Sequence, residues 1–349
     1  MERPDLSQVE PAVRAYIEWL EAERERLSAA GEPEPEPREE ESPLEPSEPP
    51  TTRNVITLSR SGEAKRTARH LYLRQRRGGM GVFDLDASDD DPPAALTIAD
   101  ERAHLLVLSS RARAFRLPVY FLNESIAVRA RPQPFMVSVP FEADETWAVV
   151  LPAPAQPQGH LAVVSRQGFV RALPGHLFAE TMREGMSVFR PEEAGAPAAA
   201  CWAAGDSDLL IATRRGLAAR FPLKQVPMPG AVGLRLEAGD EAVAITAVRP
   251  DSGVLFLGAD GKGTIRLMSG FAANKAPGVG GKIALKTDAL IGAAAVGEGD
   301  DVFILSRLGK IIRFKAAEIP AKEGVVQGVI CMSLRGDACL ALAISRAEA

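Results

Sequence analysis

Six segments of this chain repeat one pattern: an apolar, β-branched run, a tight turn that usually holds a glycine, and one or two basic residues within five positions of it. They are VITLSRSGEAKRT from Val55, LLVLSSRARAFRL from Leu105, LAVVSRQGFVRAL from Leu161, LLIATRRGLAARF from Leu209, LFLGADGKGTIRL from Leu255 and VFILSRLGKIIRF from Val302. Two apolar runs flanking so short a turn read as a β-hairpin. Aligned on Gly62, Ala112, Gly168, Gly216, Gly263 and Gly309, the turns are 50, 56, 48, 47 and 46 residues apart. That period, with strand rather than helix periodicity, excludes the common helical solenoids and suits four-stranded blades. A second phrase recurs between turns, in LRLEAGDEAVAI (Leu234 to Ile245) and MSLRGDACLALAI (Met332 to Ile344), with a looser form from Phe135 to Val150. The expected body, residues 52–346, is an all-β, six-bladed β-propeller whose closure pairs most sheet edges.

The first 51 residues differ in kind. SQVEPAVRAYIEWLEAERERLS, from Ser7, predicts one amphipathic helix within residues 1–30, with Ser7 and Glu10 spaced as a capping box and Val13, Ile17, Leu20 and Leu27 on one face. The stripe is too short to demand a coiled coil. Residues 31–51 then carry eight Glu and seven Pro up to Pro50, a composition that cannot bury enough apolar surface to order itself. They predict a disordered acidic Pro/Glu linker. The formal charge of −5 averages two parts: net −10 in residues 1–50 and net +5 in the remainder.

The chemistry of catalysis is missing from the pattern. Cys201, Cys331 and Cys339 form no CxxC pair, and His70, His104, His160 and His176 are scattered, so neither a metal site nor a disulfide framework is expected. GADGKGT, Gly258 to Thr264, lacks P-loop spacing. No apolar stretch is long enough to span a membrane and MERPDLSQVE lacks a basic n-region with an apolar core, so a cytoplasmic, membrane-free protein without a cofactor is expected.

One loop stands apart. RQRRGGMG, Arg74 to Gly81, sets three arginines against three glycines. Guanidinium forks grip phosphate oxygens, and glycines let backbone amides come close to an anion, so the loop suits a polyanion's backbone rather than its bases. Taken alone, the same stretch also suits a solvated turn.

Its context decides between them. QRRGGMG at Gln75 to Gly81 resembles the box QRRGGKG of the C-terminal DNA-wrapping domain of DNA gyrase A and its topoisomerase IV counterpart, a six-bladed β-pinwheel. KRTARHLYLRQRRGG before and through the box, RAFRLPVYFLNES from Arg113, SIAVRARPQPF from Ser125, GVGGKIALKT from Gly278 and RFKAAEIPAKEGVVQGV from Arg313 resemble further segments of that family. Met80 stands where the box has lysine. The resemblance implies a non-catalytic module, standing alone, that binds and wraps duplex DNA without sequence preference. The implied contacts are Arg74, Gln75, Arg76, Arg77, Gly78, Gly79 and Gly81 in the box, with His70, Arg129, Arg131 and Lys282 nearby or in later loops. Hairpin basics Lys65, Arg66, Arg113, Arg116, Arg171, Arg220, Arg266, Lys310 and Arg313 would form a curved positive track, each also placed to pair with local carboxylates. The implied setting is DNA topology control in the nucleoid, beside a gyrase or topoisomerase IV subunit engaged through the N-terminal helix. The competing class is a protein-interaction propeller with little DNA affinity. A third expectation is that Glu32 to Glu48 competes with DNA for the basic rim.

Overall fold

The computed structural model describes residues 10–29 and 48–347, with residues 23–29 as backbone only. The Ser7 cap and nearly all of the acidic linker, residues 30–47, lie outside the described residues. A helix spans Pro11–Ala29, with proline in its first turn where a missing N–H costs nothing. Val13, Tyr16, Trp19 and Leu20 are exposed on it, and the Tyr16 and Trp19 rings stack. The helix belongs to one unit of the chain; the body, from Glu45 on, is another.

The body is the expected six-bladed propeller. Its hairpins are Arg53–Ser59 with Glu63–Ala68, His104–Ser109 with Arg113–Pro118, His160–Ser165 with Phe169–Pro174, Asp208–Thr213 with Leu217–Pro222, Gly253–Gly258 with Lys262–Leu267, and Asp301–Ser306 with Lys310–Lys315. Each first strand also pairs with an inner strand: Pro93–Asp100, Trp147–Ala153, Pro197–Ala203, Ala242–Val248, Leu290–Val296 and Cys339–Ser345 for blades 1 to 6. The inner strands pack side by side in a closed ring, Cys339–Ser345 against Pro93–Asp100.

The repeated apolar run is buried on both faces because each blade is sandwiched between two others. Leu105 and Val107 pack with Ile56 and Leu58 of blade 1, while Leu106 and Leu108 pack with Leu161 and Val163 of blade 3. The alternation follows from strand geometry, in which successive side chains leave opposite faces. Between blades 6 and 1 the shared core shrinks to Val55, Tyr72, Leu96, Phe303, Leu305 and Ile311.

The turns explain the repeat. Ser59, Ser109, Ser165, Thr213 and Ser306 end the first strands at a register shift, and each hydroxyl accepts the N–H four residues on. Blade 5 has Gly258 in that place, and its turn glycine is Gly261, with φ +80°, not Gly263 as the alignment expects. Gly263 sits in the second strand, opposite Leu257. The expected spacing slips by two because the serine that marks the turn elsewhere is absent. At Gly216 a Cβ would stand 2.1 Å from the Leu285 carbonyl oxygen, so glycine is required there by close approach as well as by φ.

Each blade takes its outermost strand from the next blade's connection. Met186–Ser187 joins blade 2, Ala231–Val232 blade 3 and Lys282–Ile283 blade 4, while Gln133–Pro134 joins blade 1 and Val329–Ile330 blade 5. Val82–Phe83, just after the arginine-glycine loop, completes blade 6 on Lys310–Lys315 and so closes the circle. The central channel is lined by Ala95, Val150, Ala199, Ala244, Ala293, Leu342 and their neighbours, with no charged side chain among them.

Candidate nucleic-acid interface

The box loop runs along the seam between blades 1 and 6. Gln75 donates its backbone N–H to the Arg313 carbonyl (2.7 Å), Gly78 to Cys331 (2.8 Å) and Gly79 to Arg76 (3.2 Å), while Ser333 donates to the Gly79 carbonyl (2.9 Å). A Cβ on Gly81, with φ +71°, would lie 2.6 Å from the Ile311 carbonyl oxygen. These glycines answer to the neighbouring blade. The amides of Gly78 and Gly79, expected to face an anion, are occupied by carbonyls of the protein itself.

Beneath the loop lies a buried lysine. Lys65, fully enclosed, donates to Asp84 (2.7 Å), the Val128 carbonyl (2.7 Å), Thr67 (2.8 Å) and the Tyr72 hydroxyl (3.1 Å). Tyr72 donates to Asp84 in turn. Burial pulls the Lys65 ammonium below its ordinary pKa against the opposing pull of Asp84, and burial with the Asp84 charge pushes the Tyr72 phenol well above its own. This network pins Asp84, and with it the strand that closes the ring.

The box arginines diverge. Arg74 pairs with Asp301 (3.0 and 3.3 Å) and lies 3.9 Å from Glu48. Arg77 is exposed but tethered, its Nε donating to the Glu318 carbonyl and its Nη1 to that of Ile330. Arg76 is exposed and has no side-chain partner among the described residues. Beyond the box, Asp84 and Asp86 exchange backbone hydrogen bonds with Ala130, which sets Arg129 and Arg131 alongside. Arg129 pairs with Asp86 (2.9 Å), and its guanidinium lies 5.4 Å from the Phe83 ring centroid; Lys310 Nζ lies 5.0 Å from the same ring. Phe83 is half-exposed and Met80 nearly so. The outer strand thus presents an aromatic face flanked by cations from two directions.

The hairpin basics do not form the expected outward track. Arg220, Arg266, Arg313 and Lys65 are buried, and each bonds within the body. Arg313 pairs with Asp301 and donates to the carbonyls of Arg69 and Tyr72; Arg220 pairs with Asp208 and donates to those of Met268 and Phe271. Arg116 reaches the Phe178 carbonyl, Arg266 those of Ala284 and Glu323, and Arg171 those of Val188 and Met228. Arg113 pairs with Glu142 and Glu145. These residues clasp each blade to the connection of the next. Arg66 is half-buried; His70 accepts a long bond from Thr51 N–H (3.4 Å), and Lys282 is exposed. Sequence reasoning passes over Phe83, Asp84, Asp301 and the individual role of Glu48. Asp208 and Asp301 at matching strand starts are the available signal.

A family model described as DNA gyrase C-terminal domain, beta-propeller, matches residues 53–91, 207–249 and 300–344, the first, fourth and sixth repeats. The first match includes the box. The body has the pinwheel fold of a gyrase A C-terminal domain. DNA gyrase A of Kosmotoga olearia is 27% identical over 310 residues, 84% of this chain and 38% of that protein. DNA gyrase A of Escherichia coli is 25% identical over 293 residues, 81% of this chain and 33% of its own length. The chain thus spans little more than a third of these relatives. Among solved structures, a DNA gyrase A C-terminal domain superposes with TM-score 0.73 at 19% identity, covering 84% of this chain and 99% of that one. The topoisomerase IV C-terminal domain does so with TM-score 0.58 at 16% identity, covering 84% and 93%.

Proposed function

We propose that this pinwheel binds duplex DNA by its phosphate backbone, without reading bases, and bends it around the outer rim starting from the seam. The observation that carries this reading is the half-exposed Phe83 ring with Arg129 5.4 Å and Lys310 5.0 Å from its centroid, on the outer strand that follows the exposed Arg76, with the exposed Arg131 two residues from Arg129. Cations of this kind neutralise phosphates and release counterions, and that release offsets a bending cost of several kcal/mol. Arg74 serves the seam, and Arg77 contributes charge from a fixed position. The module acts without chemistry of its own, as a DNA-topology accessory to a type II topoisomerase in the nucleoid. Tyr72, 2% exposed and bonded to Asp84, is closed to attack on a phosphodiester. Nicked plasmid ligated with increasing protein, then deproteinised, tests the proposal by its linking number. A shift that fades with salt supports wrapping; no shift at any ratio refutes it.

A second reading, a protein-interaction propeller, draws on the rim's apolar tips, Ile126, Val137 and Met228, each more than four-fifths exposed. Charge reversal at Arg76 and Arg77 separates the two, abolishing DNA binding while leaving partner binding intact.

A further inference from the structure

Arg313 and Arg220 occupy the same register, pair with matching aspartates and donate to matching carbonyls, yet their surroundings differ in charge. At the seam two more guanidinium groups converge, Arg69 from blade 1 and Arg74 from the box. Asp301 is shared by Arg74, Arg313 and Lys315 (3.2 Å). One carboxylate cannot balance three guanidiniums and an ammonium in a site this enclosed, and an unbalanced buried charge is costly. Glu48 supplies the second anion. It accepts from Arg69 Nε (2.9 Å) and Nη2 (3.2 Å) and from Arg313 Nη2 (2.7 Å) and Nη1 (3.2 Å). Glu48 belongs to no strand. It enters the seam from the end of the acidic segment, so its carboxylate is held by these arginines rather than by the fold.

We propose that Arg69, Arg74 and Arg313 form an oxyanion-binding site at the ring-closing seam, filled in this chain by Glu48 and able to take a phosphate group when Glu48 withdraws. Two guanidinium forks already grip the carboxylate in the paired geometry that suits a phosphate, whose further oxygens can engage Arg74. The phosphate is either a free ion or a backbone phosphate of bound DNA. Burial would raise the Glu48 carboxyl, but hydrogen bonds and charge from Arg313 and Arg69 outweigh it and hold the group below its ordinary value, so it occupies the site as an anion at neutral pH.

The test uses the full chain carrying Glu48→Ala, or Glu48→Gln, which keeps the shape and removes the charge. In chloride buffer both variants melt several degrees below wild type. Inorganic phosphate restores them by more than it raises the wild type, and Arg69→Met added to Glu48→Ala abolishes that restoration. Variants that fold only in phosphate support the site equally. Duplex binding by Glu48→Ala then identifies the source: a salt slope steeper than wild type by about 1 means a backbone phosphate has entered, while an unchanged slope with restoration assigns the site to the free ion. The stability arm holds whether or not the pinwheel binds DNA. Melting of both variants that gains no more from phosphate than wild type does, or failure to fold with phosphate present, overturns the proposal.

Discussion

The junction between blades 4 and 5 and the seam between blades 6 and 1 solve one packing problem in different ways. Leu210, Ala212, Val254, Phe256, Met268, Phe271, Leu285 and Leu290 fill the first with a broad apolar core, and Arg220 clasps its edge. The seam has about half as many buried apolar residues and adds two buried charge networks, Lys65–Asp84–Tyr72 and Arg69–Arg74–Arg313 with Asp301 and Glu48. Blades 4 and 5 are consecutive in the chain; blades 6 and 1 are its two ends. Burial is non-directional, whereas a charged hydrogen bond accepts few partners in few geometries. Where the chain cannot dictate the neighbour, the seam specifies it with polar bonds, and the same arginine-rich surface faces outward beside it.

The largest expected effect is Asp84→Ala, which strands a fully buried ammonium and costs about 3–5 kcal/mol in chemical denaturation. Lys65→Met combined with Asp84→Leu recovers most of that loss, since an apolar pair of similar volume replaces the network. Next, Arg313→Met costs about 3 kcal/mol because it deprives both Asp301 and Glu48. Arg220→Met, which deprives Asp208 alone, costs about 1–2 kcal/mol. Equal losses would erase the distinction between the junctions.

Acid sharpens the comparison without mutation. Burial raises the Asp301 carboxyl, but hydrogen bonds from Arg313 and Arg74 outweigh it and hold the group low, as they do at Glu48. A folded-state pKa below the unfolded one gives stability that is complete above the ordinary carboxylate range and is lost as pH falls through the depressed values. The protection factor of the Asp84 amide, which is bonded to the Gly309 carbonyl, therefore falls on acidification before those of Val254 to Leu257 do. The smallest effect is Met80→Lys, which returns the family's box cation to an exposed position and steepens the salt slope of duplex binding by about 1.

The hairpins are legible because a serine, a turn glycine and an apolar run mark each one; blade 5 is misplaced where Gly258 replaces the serine. The chemistry of the arginines is legible too, but their direction is not. Along a strand a shift of one residue exchanges inside for outside, and no single repeat fixes that register. Arg220 and Arg313 sit in strands and face inward, whereas Arg76 lies exposed in the loop. The box glycines read as serving an anion, whereas a blade 6 carbonyl requires one of them. Cys331 and Cys339 are buried, Cys201 partly so, and burial pushes all three thiols up to about 12, which leaves them unreactive at neutral pH.

The most direct test of the central claim, that the seam side of the rim carries the DNA, is duplex affinity across a salt series for two triple variants that remove equal charge. One replaces Arg76, Arg129 and Arg131 with alanine; the other replaces Arg183, Lys224 and Lys275, exposed on the loops of blades 3 to 5. The seam variant is expected to lose about 3 units of salt slope and at least tenfold in affinity, while its counterpart stays close to wild type. Equal losses from both, or the larger loss from the second, would contradict a seam-centred interface.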